Sequence, residues 1–143
     1  MKTVGLIVAA GRGKRAGGTV PKQYRDLCGQ TVLRRSILAL TLHPEVDAVQ
    51  VVIHKDDVAQ YNDTTIGIAN LLPVQFGGAE RHESVLAGLN ALHTYSPQNV
   101  LIHDAARPLV SPTVITDVVS ALSTHSGAFP ALSVVDALWR GSN

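Results

Sequence analysis

Residues 4–15 read VGLIVAAGRGKR, an apolar run that breaks into a glycine-rich turn bearing Arg12, Lys14 and Arg15. Gly11 and Gly13 admit backbone conformations closed to other residues and let peptide N–H groups approach an anion. Further on, in PKQY, Pro21 restricts the backbone just ahead of Lys22, so that cation is presented rather than left to wander. Arg15 and Lys22 on such a loop suit a triphosphate, whose charge grows and moves during transfer. Two more stretches carry chemistry: FGGAERHES (76–84) and HDAARP (103–108).

Simpler readings compete at each position. The spacing D-A-A-R allows Asp104 to pair with Arg107 instead of meeting a ligand. Arg81 is placed either to touch phosphate or to pair with Glu80 or Glu83. Ser84 lies in the first turns of a helical pattern. His103 ends a strand-like run, where a lone histidine serves as a structural donor, and the other five histidines show no ligand spacing. Cys28 has no nucleophile signature around it and reads as structural.

GRGKRA fits the relaxed dinucleotide fingerprint G-x-G-x-x-G/A, yet the context fails. A helix should continue from Ala16, whereas GGTVPKQY breaks it, and no acidic residue closes the next strand directly. The P-loop pattern G-x-x-x-x-G-K-[ST] is absent.

These loops need elements to hold them. Runs 3–9 and 48–54 read as buried strands, 71–76 as a weaker strand pushed toward an edge by Pro73, and 99–104 and 128–134 as two more. Helical patterns cover 31–43 with Thr31 as N-cap, 56–61, 80–95, and 111–127 with Ser111 as cap and Pro112 first in the helix. Five strands with helical crossovers predict an α/β fold, a mostly parallel sheet covered on both faces. In such sheets ligands bind beyond the carboxyl ends of the strands, where all three polar loops fall.

The 143-residue chain suffices for one domain, with 45% hydrophobic and 16% charged residues. A net charge of +1 excludes a global electrostatic trap for nucleic acid. Eight of the 12 Lys and Arg residues nevertheless fall before position 36 (Lys2, Arg12, Lys14, Arg15, Lys22, Arg25, Arg34 and Arg35), opposed there only by Asp26. That excess points to a small, highly charged anion. No window reaches the ~18 apolar residues that span a bilayer, and no signal cleavage site is evident. The single cysteine fits a reducing compartment, so the expected location is cytoplasmic.

AAGRGKR, PKQY, GGAERHESVLAGL and HDAARP, in that order, closely resemble the 2-C-methyl-D-erythritol 4-phosphate cytidylyltransferases, which are glycosyltransferase-A-like nucleotidyltransferases with a Rossmann-like sheet. The resemblance runs from Val4 to about Arg140. It implies transfer of a cytidylyl group from CTP to methylerythritol phosphate, with release of pyrophosphate, in the non-mevalonate route to isoprenoids. It implies Arg15 and Lys22 as catalytic residues that stabilise the transition state. CTP would be held by Ala9, Ala10, Gly11, Gly13, Gly78, Ala79 and Ser84, the base largely through backbone groups that Gly77 and Gly78 let approach. Ala79 replaces an acidic residue associated with many members. Asp104 would meet the sugar-phosphate acceptor or sit near the metal, and Arg107 would meet the acceptor. Mg²⁺ would ride on the triphosphate with no protein ligand set, and a homodimer is implied for the full-length protein, with neither nucleic acid nor membrane as a partner.

Family members continue beyond this length through a β-arm and further sheet and helix. The expectation is therefore one nucleotidyltransferase domain, 1–143, incomplete at its C-terminus, from a parent that is in some bacteria fused to a later enzyme of the pathway. On this reading the chain binds nucleotide with little activity of its own. The alternatives are a cytidylyltransferase for another polyol phosphate, such as ribitol 5-phosphate, and a non-catalytic nucleotide-binding module.

Overall fold

The computed structural model describes residues 1–12 and 20–133. Strands β1 (Thr3–Ala9), β2 (Ala48–Ile53), β3 (Gln75–Phe76) and β4 (Asn99–Asp104) form a parallel sheet in the order β3-β2-β1-β4. Helices α1 (Val32–Thr41), α2 (Val58–Thr65) and α3 (Arg81–Leu92) lie between successive strands, and α4 (Pro112–Ala121) follows β4.

β1 and β2 are sandwiched between helices, which is why both read as nearly unbroken apolar runs. Alternation divides their side chains between two cores. Ile7, Ala9, Val49, Val51 and Ile53 pack with Leu33, Ile37 and Leu40 of α1 and with Ile115 and Val119 of α4. Val4, Leu6 and Val52 pack on the other face with Leu92 of α3. Gly88 lets α3 approach that face closely, because a side chain there would meet Leu6 and Val52.

The expected caps form. The Thr31 side chain accepts from the Arg34 N–H, and Ser111 accepts from the Val114 N–H with Pro112 opening α4. Either missing hydroxyl would leave a helix-end N–H without its partner, a loss of about 1 kcal/mol.

Several boundaries differ from expectation. The 71–76 segment contributes only two residues to β3, because Pro73 breaks the run and leaves Leu71 touching Val49 through an isolated bridge. The 56–61 helix is displaced: a 3₁₀ turn over Lys55–Asp57 leads into α2. The helix expected to reach 127 ends at Ala121. The last expected strand is not formed over its described part, 128–133, where Pro130 lacks a ladder donor and Phe129 and Leu132 stand in solvent; position 134 lies outside the described residues. The described sheet therefore has four strands, not five.

The chain runs outward from β1 to β2 and β3, then returns to place β4 on the other side of β1. This reversal makes a switch point between β1 and β4: the chain leaves β1 toward β2 on one side, while β4 lies on the other, and a crevice opens beyond their carboxyl ends. Among the described residues no helix is long and apolar enough to cross a membrane.

Candidate functional site

A cavity of about 600 Å³ occupies that crevice. Its walls are the ends of β1 (Val8, Ala9) and β4 (Asp104), the Gly11 turn, the Lys22 turn, and the residues that lead into α3. Parallel pairing fixes this convergence: Val8 is in register with Asp104, Ala9 with Ile53, and Ile53 with Phe76.

Of the residues singled out by sequence, Ala9, Gly11, Lys22, Gly78, Ala79, Ser84, Asp104 and Arg107 all line this one cavity. Ala10 does not line it but sits immediately behind, against Gly77. Gly13, Lys14 and Arg15 lie outside the described residues.

Lys22 opens a 3₁₀ turn, Lys22–Tyr24, whose cap is Pro21 in an extended conformation. The next residue, Gln23, is buried beneath the loop and donates from Nε2 to the carbonyls of Ala9 (2.7 Å) and Gly11 (3.1 Å). The turn is thus tied to the end of β1, while the lysine stays exposed at the cavity with no carboxylate partner among the described residues.

The entry to α3 is built as a capping box. Glu80 accepts from the backbone of Glu83, and the Glu83 side chain accepts from the Glu80 N–H at 2.9 Å. That backbone hydrogen bond is the main reason the Glu83 carboxyl lies below its ordinary pKa. Ser84, almost fully buried, donates from Oγ to the Glu80 carbonyl at 3.2 Å. The two glycines ahead of the helix serve this packing. A side chain at Gly77 would strike Ser84 Oγ and Ala10 Cβ, and one at Gly78 would strike Glu83. What approaches these glycines closely in this structure is the chain's own side chains.

Across the cavity, Asp104 holds two guanidinium groups. Arg81 donates to Oδ1 at 2.9 Å and Arg107 to Oδ2 at 3.0 Å. Burial pushes the Asp104 carboxyl up, but the two arginines together outweigh it and hold it below the ordinary aspartate value. The Arg107 pairing is the one its spacing suggested. The partner of Arg81 is neither Glu80 nor Glu83 but this aspartate, because the start of α3 faces the end of β4. His103 Nε2 donates to the Arg107 carbonyl at 2.9 Å, and burial pushes its pKa down. Both Asp104 oxygens are engaged by arginine, and among the described residues no three His, Cys, Asp or Glu side chains converge on a cation site. These residues do not make a magnesium cage.

Much of the N-terminal charge is spent inside the protein. Arg12 bridges Asp56 (2.8 Å) and Asp57 (2.7 Å). Arg34 donates to the carbonyls of Thr64 and Ile66 at the end of α2, and Arg35 to those of Leu27 and Cys28. Arg25 reaches the Val20 carbonyl. Composition alone therefore overstated the charge available to an anion. The sequence pattern of the family described as IspD: 2-C-methyl-D-erythritol 4-phosphate cytidylyltransferase matches residues 3–143.

The chain belongs to this family.

It is 51% identical over 144 residues to the 2-C-methyl-D-erythritol 4-phosphate cytidylyltransferase of Roseobacter denitrificans, covering 100% of this chain and 63% of that protein. It is 49% identical over 141 residues to the bifunctional enzyme IspD/IspF of Rhodospirillum rubrum, covering 99% of this chain and 37% of that one. A crystal structure of 4-diphosphocytidyl-2C-methyl-D-erythritol synthase superposes with a TM-score of 0.83 at 28% identity, over 99% of this chain and 64% of that chain. The chain thus spans less than two thirds of the length of these relatives.

Within this cytidylyltransferase-family domain, sequence reasoning missed Gln23 and counted Arg12 in the basic excess without foreseeing its two carboxylate partners. The signal for Gln23 was available: an amide between a presented lysine and a tyrosine, in a turn that must pack against the glycine-rich loop. Arg12 had no such signal, since Asp56 and Asp57 lie more than forty positions away along the chain.

Proposed function

We propose that this chain is the CTP-binding part of an enzyme that transfers a cytidylyl group to 2-C-methyl-D-erythritol 4-phosphate in non-mevalonate isoprenoid biosynthesis. The observation that carries the reading is Lys22, exposed and without a carboxylate partner among the described residues, at a cavity on the switch point of a family-matched sheet.

An oxygen of the acceptor's phosphate attacks the α-phosphorus of CTP. The bond from that phosphorus to the bridging oxygen breaks, and pyrophosphate leaves with the electron pair. The attacking oxygen is already anionic, so the reaction needs positioning and charge stabilisation more than a base. Lys22 supplies a compact charge at the cavity, and Arg15, by family resemblance, a second that never deprotonates. Magnesium would be held mainly by the nucleotide's own triphosphate rather than by a protein ligand set, and it would supply charge neutralisation there. Ala9, Gly78, Ala79 and Ser84 surround the base with Ala10 behind them, while Gly11 shapes the wall toward the phosphates; Gly13 is assigned to CTP by family resemblance alone. Asp104 and Arg107 face the acceptor, with Arg81 steadied by the same carboxylate. The working protein is a cytoplasmic homodimer.

The test is calorimetry of the chain with CTP, UTP, ATP and GTP, each with Mg²⁺. Selective CTP binding is expected, weakened about ten- to hundredfold by Lys22→Ala, the range for losing a charged hydrogen bond. Equal binding of all four nucleotides, binding of none, or no effect of Lys22→Ala overturns the reading.

A further inference from the structure

Gln23 is a buried primary amide whose two N–H bonds serve two carbonyls that flank a single residue, Ala10. A buried amide without partners costs several kcal/mol, on the order of 2–7, so an apolar side chain would fill this space more cheaply unless the hydrogen bonds accomplish something. What they accomplish is orientation. A peptide unit is planar and trans, so a carbonyl held toward Gln23 turns the N–H of the following residue the opposite way. With the Ala9 and Gly11 carbonyls both held, the N–H groups of Ala10 and Arg12 point away from Gln23, and neither peptide can flip while the clamp holds.

We propose that Gln23 is a positioning residue that sets the choice between cytosine and uracil. The inference rests on the reading of this cavity as a CTP site in which the base meets main-chain groups at the end of β1, where Ala9 and Gly11 line the wall. Cytosine presents an amino donor at its 4-position and an acceptor at N3; uracil presents an oxygen acceptor and an N–H donor at the same places. The two bases therefore have nearly the same shape and inverted polarity. A peptide flip inverts polarity in the same way, exchanging a carbonyl for an N–H at one point of the wall. A site that reads the base through backbone can discriminate only if its peptides are prevented from flipping, and a side chain with two donors on one nitrogen prevents it at two peptides at once. Because Gln23 follows Lys22 directly, the same clamp sets the distance between the phosphate-binding cation and the base-reading backbone.

Gln23→Met keeps the length of the side chain without the donors, and Gln23→Glu places an acceptor against two carbonyls. Calorimetry of the chain and both variants with MgCTP and MgUTP is expected to show the ratio of CTP to UTP affinity falling by roughly tenfold or more, the usual scale of a mismatched buried hydrogen bond. Circular dichroism melts confirm that each variant is folded. A folded variant that keeps the wild-type ratio overturns the clamp and leaves the nucleotide reading intact. Wild-type protein that binds neither nucleotide overturns both.

A second measurement needs no variant. NMR of the unsubstituted chain is expected to show scalar couplings across hydrogen bonds from Gln23 Nε2 to the Ala9 and Gly11 carbonyl carbons, before and after MgCTP is added. Their loss on binding would mean that the clamp is released when the base is read, which also overturns the proposal.

Discussion

The Arg12 guanidinium donates at 2.7 Å to Oδ1 of Asp57, a carboxylate only 2% exposed, and with its other arm reaches the open carboxylate of Asp56. Among the described residues Asp57 Oδ2 is buried without a hydrogen-bond partner, as is the nearby Tyr24 hydroxyl, whose pKa burial and then the Asp57 charge push upward. Arg12 is thus the charge that makes a buried aspartate tolerable, and it anchors the start of the glycine-rich loop to the turn before α2. Moving it onto a ligand phosphate would strand Asp57.

The two halves of this fork should behave differently. Arg12→Ala is expected to cost about 2–3 kcal/mol, somewhat less than a fully buried pair because the guanidinium is one-third open to water. Asp56→Ala should cost under about 1 kcal/mol, as exposed ion pairs do. Urea denaturation of the chain and both variants measures this. Equal losses would show that the buried carboxylate is not what Arg12 serves.

His103 provides a prediction in pH. Its ring is half-buried, and burial lowers its pKa below the ordinary 6.5 despite the neighbouring Asp104. In the window between the folded and unfolded values, the unfolded chain binds more protons. The contribution is therefore fully present above about pH 6.5 and is lost as pH falls through the folded value. NMR titration should place the His103 midpoint below that of a free histidine, and His103→Asn should flatten the fall in stability just below pH 6.5. A midpoint at or above 6.5 would contradict the burial argument.

The elements legible in the sequence were those whose cause is local. β1, β2 and β4 announced themselves as apolar runs, and α1 and α4 by the caps Thr31 and Ser111. The convergence of three polar loops followed from parallel topology alone. What could not be read depended on partners distant in the chain. Arg81 meets Asp104 across 23 positions, and Gln23 meets Ala9 across 14. The 128–134 segment had strand composition, but its described part has no strand beside it to pair with. The eight N-terminal cations looked like one field, whereas Arg12, Arg34 and Arg35 are each consumed by a separate structural contact.

Gly77 joins packing to function most directly. Its backbone N–H donates to the Ile53 carbonyl at 2.9 Å, which fixes it at the sheet edge, and a methyl group there would run into Ser84 Oγ and Ala10 Cβ together. Neither neighbour can yield freely: Ala10 is held between the two carbonyls clamped by Gln23, and Ser84 is buried in the first turn of α3. Gly77→Ala is therefore expected to cost about 1–3 kcal/mol, the range for overpacking. It should also shift the wall of the cavity and weaken CTP binding. Gly88→Ala, crowded by Leu6 and Val52 on the core side of α3, should lose comparable stability. Its CTP affinity, measured well below the melting temperature, should stay near wild type. If both variants lost CTP binding to the same degree, the loss would follow stability, and the contact between Gly77, Ala10 and Ser84 would have no separate part in shaping the site.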